Sequence, residues 1–199
     1  MPIRATKRGV ERTPLQGEFD VLVCGASFAG LAVCRELSGA GARVLMVDRY
    51  DVGERQTSAC AAPTGWLEAL GLQESIRQTF GDLVIHTPLK TFRWRLPWTF
   101  STFDYRRLCA LLRAQAPDVA FETATVEGRD GFTVHTDRGD LTAPLIVDAL
   151  GWRRVLSNAP KPIQPPNARL SRGLEVHPAG SGADLELWLD PRYVRASYS

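Results

Sequence analysis

The residues with the clearest chemistry form a glycine-bounded turn, Gly25–Gly30 (GASFAG). The turn corresponds to the pattern G-x-G-x-x-G, with Ser27 in the place of the middle glycine. In this pattern the first glycine permits a tight turn, the middle position lets backbone approach a pyrophosphate, and the last allows a helix to pack closely on a strand. A helix that begins here directs N–H groups toward the phosphates. The predicted dinucleotide-binding residues of the turn are Gly25, Ala26, Ser27, Phe28, Ala29 and Gly30.

The segments on both sides of the turn predict the elements that position it. Phe19–Cys24 (FDVLVC) and Arg43–Asp48 (RVLMVD) are apolar runs typical of strands buried in a parallel sheet. Between them, Ala29–Ala40 has apolar residues at helical spacing. The three segments predict one βαβ unit. Asp48 ends the second strand, where an acid binds the hydroxyls of an adenosine ribose, and Arg49 follows as a further binding candidate.

The composition excludes several other classes of protein. The chain has 199 residues, a hydrophobic fraction of 44% and a net charge of +2, which does not favour nucleic-acid binding. No apolar run is long enough to cross a membrane, and the basic N-terminus lacks the apolar segment of a secretory signal. The cysteines and histidines have no metal-binding spacing, so we expect no metal site. Unpaired, apolar cysteines such as Cys24 and Cys34 are typical of a reducing compartment, which predicts a cytoplasmic location.

A second motif, Leu145–Leu156 (LIVDALGWRRVL), indicates which dinucleotide to expect. A buried-type strand ends here in a turn of small residues, about 120 residues after Gly30. With the first motif, it resembles the FAD-dependent oxidoreductases of the para-hydroxybenzoate hydroxylase and geranylgeranyl reductase superfamily. In that superfamily this strand returns to the Rossmann sheet beside the FAD pyrophosphate and ribityl. The resemblance implies that the cofactor is FAD, and it assigns Asp148 and Gly151 to FAD binding. The matching residues are Asp148, Ala149, Gly151, Trp152 and Arg153.

Two further segments match the superfamily in part. Phe103–Leu112 corresponds to a helix start whose arginine reaches FAD; Tyr105 falls on the arginine position, and its neighbour Arg106 is the candidate. A solvated arginine in a first helical turn is the alternative for Arg106. The loop over residues 51–64 contains Cys60, at a place where geranylgeranyl reductases carry a cysteine near the flavin. A buried, inert thiol is the alternative for Cys60.

The rest of the chain predicts helices, short strands and a linker. Helices are expected over residues 58–70, 72–80 and 104–115, the last capped by Asp104. Residues 82–103 predict short strands of a sheet that branches from the Rossmann core, and residues 119–142 predict a β meander. A proline-rich linker is expected over 159–166, with strands over 169–177 and 183–189.

These elements predict an α/β fold: a Rossmann-type FAD/NAD(P)-binding domain with an inserted β region and the start of a substrate-domain β-sheet. We expect a flexible basic arm over residues 1–17, the FAD-binding domain over 18–158, and incomplete substrate-domain strands over 159–199. Members of the superfamily carry a third flavin segment, G-D-A-A/S, which does not occur after Gly151. The chain is therefore expected to be a truncated member with the ADP-binding half of a FAD site.

The function expected from the resemblance is that of a FAD-dependent oxidoreductase, either monooxygenase-like or geranylgeranyl-reductase-like. Electrons would come from NAD(P)H or another donor, and the substrate would be a small hydrophobic or aromatic molecule. Two other interpretations stay open: an NAD(P)-binding oxidoreductase that uses the same first motif, and a non-catalytic truncated remnant. The sequence identifies no catalytic residue and no oligomeric state.

Overall fold

The computed structural model describes residues 13–56, 59–151, 154–157 and 180–189. The chain divides into two compact units. The first contains Met1–Thr57 and Tyr105–Ile163, and the second contains Ser58–Asp104 and Gln164–Ser199. Each unit has its own sheet structure, and the glycine turn lies in the first.

A four-stranded parallel sheet forms the centre of the first unit. Its strands are β2 (Val21–Cys24), β3 (Val44–Asp48), β7 (Ala120–Thr123) and β11 (Leu145–Asp148), in the order β11-β2-β3-β7. Strand β11 returns beside β2, in parallel register, as the second motif predicts. The prediction that residues 119–121 belong to the meander is wrong, because β7 pairs with β3 at the edge of the parallel sheet.

Two helices pack beside this parallel sheet, one on its strands and the other on the first helix. Helix α1 (Phe28–Leu37) connects β2 to β3 and packs on both strands, and helix α3 (Tyr105–Ala114) packs on α1. The fully buried Cys34 of α1 lies with its Sγ 3.6 Å from the Sδ of Met46 in β3. The predicted helix over 104–115 is confirmed. Its buried positions, Tyr105, Leu108, Cys109 and Leu112, recur at helical spacing.

A four-stranded sheet built on a β meander covers the other face of the parallel sheet. Its strands are β1 (Gly17–Glu18), β8 (Val126–Asp130), β9 (Thr133–Thr136) and β10 (Gly139–Thr142), in the order β1-β10-β9-β8. Strands β8, β9 and β10 are antiparallel, and β1 pairs parallel with β10. Apolar side chains of both sheets form one buried cluster, which includes Leu22, Cys24 and Leu45 opposite Val134 and Leu141. Because side chains alternate along a strand, β2 and β3 bury one set of residues toward the meander and the other toward α1.

The N-terminal segment differs from the expectation of a flexible arm. Residues 17 and 18 pair with β10, the Leu15 N–H donates to the Arg138 carbonyl (2.7 Å), and Arg138 Nε donates to the Thr13 carbonyl (3.1 Å). The prediction of a flexible arm is therefore corrected for Thr13, Leu15 and Gly17, which are held by hydrogen bonds to Arg138 and by pairing with β10. Residues 1–12 lie outside the described residues.

The second unit contains one mixed sheet. Its elements are β4 (Ala61–Pro63), α2 (Thr64–Ala69), a 3-10 helix (Gln73–Ser75), β5 (Ile76–His86), β6 (Thr91–Phe103) and β12 (Leu185–Trp188). The strand order is β12-β5-β6-β4, and β5 and β6 form a long antiparallel hairpin. Residues 82–103 thus belong to the sheet of this unit, and residues 183–189 contribute β12.

Two helix predictions in the second unit are corrected. The helix expected over 58–70 begins only at Thr64, because Ala61–Pro63 pairs with β6 and Pro63 occupies the N-cap. The helix expected over 72–80 is limited to a 3-10 turn, since residues from Ile76 onward pair with β6. Cross-strand pairing overrides the local preference there. The predicted linker over 159–166 and the strand over 169–177 lie outside the described residues.

Candidate functional site

The turn from β2 into α1 has a backbone that only glycine fits at its first position. Gly25 has φ +113°, and its N–H donates to the Val47 carbonyl of β3 at 2.8 Å. A Cβ on Gly25 would lie 2.3 Å from the carbonyl oxygen of Ala149, which follows the returning strand β11. The sharp turn and the close approach of β11 therefore both require the glycine.

The last glycine of the turn allows α1 to contact the strand end. A Cβ on Gly30 would lie 1.8 Å from the Gly25 carbonyl oxygen, closer than any real contact. The first helical hydrogen bond runs from the Leu31 N–H to the Ser27 carbonyl at 3.0 Å. The N–H groups of Phe28, Ala29 and Gly30 precede it in the first helical turn, where no carbonyl of the helix can accept from them. The N-terminal turn of a helix is a common place for an anion to bind.

Ser27 occupies the N-cap of α1 without using its side chain as a cap. Its hydroxyl makes no cap hydrogen bond to the helix, and its Oγ lies 3.1 Å from the hydroxyl of Tyr105. Tyr105 is the first residue of α3, is 7% exposed, and has its ring 5.1 Å from that of Phe28. The two positions at which the sequence departs from the superfamily pattern, 27 and 105, are thus in direct contact. The sequence did not predict this contact, because nothing local links residues that are so far apart in the chain.

Asp48 connects the turn to the loop that follows β3. Its Oδ2 accepts the Ala26 N–H (2.8 Å), and its Oδ1 accepts the Tyr50 N–H (2.9 Å). A carboxylate has about four lone-pair sites, so this half-buried group retains acceptor capacity for ribose hydroxyls. Asp48 is therefore fixed in place before any ligand binds.

Two arginines lie around Tyr50, next to Asp48. The guanidinium of Arg49 is 4.9 Å from the centre of the Tyr50 ring, and Arg55 donates to the Tyr50 hydroxyl at 2.6 Å. Arg106, the other predicted cationic residue, is exposed on α3, and a Cβ on Gly53 would lie 3.2 Å from its Cα. The loop after β3 is thus packed against the start of α3, close to Arg106.

The end of β11 supplies the third part of the site. The Ala149 N–H donates to the Cys24 carbonyl (2.8 Å), which joins this strand end to the glycine turn. The Asp148 Oδ1 accepts the Leu150 N–H at 3.1 Å, and Gly151 follows with φ +81°. A cavity of about 330 Å³ opens here, lined by Asp148 and Gly151 together with Arg129, Ile146, Arg154, Leu156 and Ser157. Trp152 and Arg153 lie outside the described residues.

Cysteines and histidines of the described residues offer no second reactive centre. All four cysteines are free and buried, and burial raises the pKa of Cys24 to about 12, so it stays a thiol at neutral pH. His86 stacks on Trp188 and bonds to Thr91, while His135 bonds to Asp140 at 2.8 Å. His177 lies outside the described residues. Among the described residues there is no cluster of acidic, histidine and cysteine side chains that would hold a metal ion.

The residues present fit the ADP part of a dinucleotide. Gly25 and Gly30 keep the turn free of Cβ atoms, the start of α1 supplies N–H donors, and Asp48 supplies a fixed carboxylate one strand away. An added Cβ at either glycine would collide with backbone rather than with a movable side chain. These features define the class of site: a Rossmann-type turn between a parallel strand and a helix, with the geometry that a dinucleotide pyrophosphate requires.

Solved flavoprotein structures share this fold. PqsL, described as a probable FAD-dependent monooxygenase from Pseudomonas aeruginosa, superposes with a TM-score of 0.52 and 18% identity, over 65% of this chain and 42% of PqsL. A geranylgeranyl bacteriochlorophyll reductase-like protein from Thermoplasma acidophilum gives 0.57 and 16%, over 66% of this chain and 39% of its own. The flavin-dependent brominase Bmp2 gives 0.56 and 16%, over 69% of this chain and 39% of its own. The chain therefore has the FAD-binding Rossmann-type fold that the sequence predicts.

The chain spans about two fifths of the length of these structural neighbours. No family model matches the sequence, and no curated protein matches it. Within the part of the chain that the structure describes, no helix is long and apolar enough to cross a membrane.

Proposed function

We propose that this chain binds the ADP half of FAD and provides the cofactor-binding part of a FAD-dependent oxidoreductase. The observation that carries the proposal is the link between Asp48 and the Ala26 N–H at 2.8 Å, which fixes the predicted ribose acceptor beside the glycine turn. Strand β11 pairs with β2, and Ala149 lies against Gly25. The second motif therefore lies at the same end of the parallel sheet as the glycine turn.

Each residue would have a separate task when the cofactor binds. The first-turn N–H groups of α1 would bind the pyrophosphate, and the remaining lone pairs of Asp48 would accept from the ribose hydroxyls. Arg49 would contribute positive charge at the adenosine end of the cofactor, and Arg106 would contribute positive charge beside the loop after β3. Asp148 and Gly151 would line the cofactor site at the end of β11. The bound flavin supplies the redox chemistry, and the protein supplies its orientation and electrostatic surroundings.

The structural neighbours suggest a class of substrate. One structure of PqsL holds 2-aminobenzoylacetate, a small aromatic molecule, and another neighbour is described as geranylgeranyl bacteriochlorophyll reductase-like. We propose for this chain a small aromatic or hydrophobic substrate, which would be hydroxylated on a ring or reduced at a double bond. NAD(P)H is the proposed electron donor, and the cytoplasm is the proposed location.

The test is cofactor binding by the purified chain. We expect a flavin absorbance spectrum on reconstitution with FAD, and FAD affinity at least about 10-fold lower in Asp48→Asn, because a hydrogen bond to a charged group contributes about 1.5–3 kcal/mol. Asp20→Asn is the matched control, since Asp20 also accepts a backbone N–H, from Arg43 at 2.6 Å, but at the opposite end of β2. Equal loss in both variants would contradict the assignment of Asp48.

The alternative functions give different results in the same experiment. An NAD(P)-binding oxidoreductase would bind NAD(H) on titration and would bind no FAD. A non-catalytic remnant would bind FAD weakly or fold poorly, and reduction of any bound flavin by NAD(P)H would be absent. Flavin binding followed by bleaching on addition of NADH or NADPH is the result expected from the proposal.

A further inference from the structure

The sheet of the second unit has one face made of apolar side chains. Residues that pair across neighbouring strands, such as Ile85 and Phe92, point to the same face of a sheet. Strand β5 pairs with β6 on one side and with β12 on the other, and in both registers these apolar residues lie opposite apolar residues. This apolar face consists of Leu83, Ile85, Phe92, Trp94, Leu185 and Leu187.

The apolar face is open to solvent. Trp94 is 50% exposed, Leu187 is 45% exposed and Phe92 is 38% exposed. The rings of Phe92 and Trp94 stack on each other, with their centres 5.6 Å apart and an angle of 10° between their planes. Antiparallel strands commonly pack such a face on a core. The exposure of these side chains therefore indicates a surface that a partner outside the chain can cover.

The opposite face of the same strands pairs its charges internally. Arg93 of β6 donates to Asp82 of β5 at 3.1 Å and to Asp184, directly before β12, at 2.6 Å. The ring of His86 in β5 stacks on that of Trp188 in β12 with 4.8 Å between their centres. These contacts join the three strands, so the apolar face on their other side is held in one arrangement.

The tip of the β5–β6 hairpin adds an aliphatic side chain and positive charge at one end of the apolar face. Leu89 is 97% exposed, in a turn that is closed by a hydrogen bond from the Thr87 N–H to the Lys90 carbonyl at 2.9 Å. The Lys90 Nζ lies 5.2 Å from the centre of the Phe92 ring. Residues 87–98 contain no acidic residue and three cationic ones, Lys90, Arg93 and Arg95.

The size and the charge of this region distinguish between possible partners. With about 200 Å² for each large side chain, the exposed part of the apolar face has an area of roughly 300–400 Å². A stable interface between two copies of a chain needs about 800 Å² on each copy, so the face is too small for a second copy. A bilayer needs no matching shape, and anionic headgroups complement the cations near the hairpin tip.

We propose that the β5–β6 hairpin docks on the surface of an anionic phospholipid bilayer. The apolar face and Leu89 enter the interfacial layer, where the rings of Trp94 and Phe92 are favoured. Lys90 and Arg95 stay among the headgroups, because long cationic side chains reach back to the surface. Docking of this kind is peripheral and reversible. The proposal does not depend on which cofactor the first unit binds.

Co-sedimentation of the full chain with vesicles tests the docking. One set of vesicles contains phosphatidylcholine alone, and the other contains phosphatidylcholine and phosphatidylglycerol in equal parts. The wild type should bind the mixed vesicles at least about 10-fold more tightly, because each cation near an anionic surface adds to the attraction. Added salt should weaken this binding. Equal binding to both sets of vesicles, or binding to neither, would overturn the proposal.

Two substitutions test whether binding uses this face. Leu89→Glu and Trp94→Ser should each bind the mixed vesicles at least about 10-fold more weakly, since each removes apolar area and the first adds a negative charge. Leu89 is almost fully exposed, so the melting temperature of Leu89→Glu should equal that of the wild type. The matched control is Phe132→Ser, which replaces an aromatic residue that is 65% exposed in the first unit. It should bind as the wild type does, and wild-type binding by Leu89→Glu would contradict the docking.

The mass of the protein in solution tests the competing partner, a second copy of the chain. Light scattering without vesicles should give the same mass for the wild type and Trp94→Ser. A wild-type dimer that Trp94→Ser converts into a monomer would assign the apolar face to a second copy and would overturn the membrane proposal.

Discussion

The replacement of Gly30 by alanine tests the geometry of the glycine turn most directly. The added Cβ would lie 1.8 Å from the Gly25 carbonyl oxygen, whereas ordinary contact begins at 3.4 Å. Relief requires α1 and the end of β2 to separate by more than an ångström, since the obstructing atom is backbone. Overpacking commonly costs about 1–3 kcal/mol where side chains can move, so we expect a loss at or above about 3 kcal/mol here.

Urea and thermal denaturation measure this loss. A loss of about 3 kcal/mol corresponds to a fall in Tm of about 6–12 °C for a chain of this size. The matched control is Gly128→Ala in β8 of the same unit, where an added Cβ meets nothing within 4 Å and φ is not positive. That variant should keep or slightly raise stability, because alanine loses less chain entropy than glycine on folding. A Gly30→Ala protein as stable as Gly128→Ala would refute the close packing of α1 on β2.

Three further predictions follow from other contacts. Arg138→Ala should lower the free energy of unfolding by about 1–3 kcal/mol, because the Arg138 side chain is 9% exposed and bonds to Glu122, to the Thr123 carbonyl and to the Thr13 carbonyl. Arg95→Ala, whose side chain is 83% exposed, should change it by less than about 1 kcal/mol in the same urea titrations. Burial raises the pKa values of Cys24, Cys34 and Cys109 from 9.0 to between about 11 and about 12, so an alkylating reagent at pH 8 should label these thiols only after denaturation. Unfolding lets the same thiols ionise at their ordinary pKa, so their contribution to stability should not change with pH below pH 9 and should be lost between pH 9 and 11. A stability that rises between pH 9 and 11 would contradict the burial of these thiols.

The sequence predicted the parts of the fold that local patterns specify. Strands β2 and β3 are apolar runs, α1 follows a glycine turn, and β11 ends in small residues, so each was identifiable without knowledge of its neighbours. The segment after Leu72 was mistaken for a helix because its alternation is weak. Ile76–His86 becomes a strand through pairing with Thr91–Phe103. Strand β7 was assigned to the wrong sheet, because tertiary packing and not the local sequence determines which strand it pairs with.

The candidate site likewise contains residues that local spacing predicts and contacts that only the folded structure shows. Gly25, Gly30 and Asp48 were identified from spacing, because the backbone of a βαβ turn fixes where they lie. The contact between Ser27 and Tyr105 was not identified, since it depends on how α3 packs on α1. The hydrogen bonds that hold Asp48 also depend on the folded turn, because the Ala26 N–H faces the carboxylate only when β2 and β3 are paired.

The pairing of β2 with β11 has a consequence for synthesis of the chain. Strand β2 lies inside the parallel sheet, but its partner on one side is encoded on the order of a hundred residues later. During translation, the apolar β2 edge at Val21–Cys24 therefore stays open until the meander and Leu145–Asp148 have left the ribosome. Such an edge can pair with other chains, and sheets closed by distant segments fold slowly. Pulse-labelled nascent chains should therefore depend on chaperones until about residue 148 is exposed, and much less thereafter.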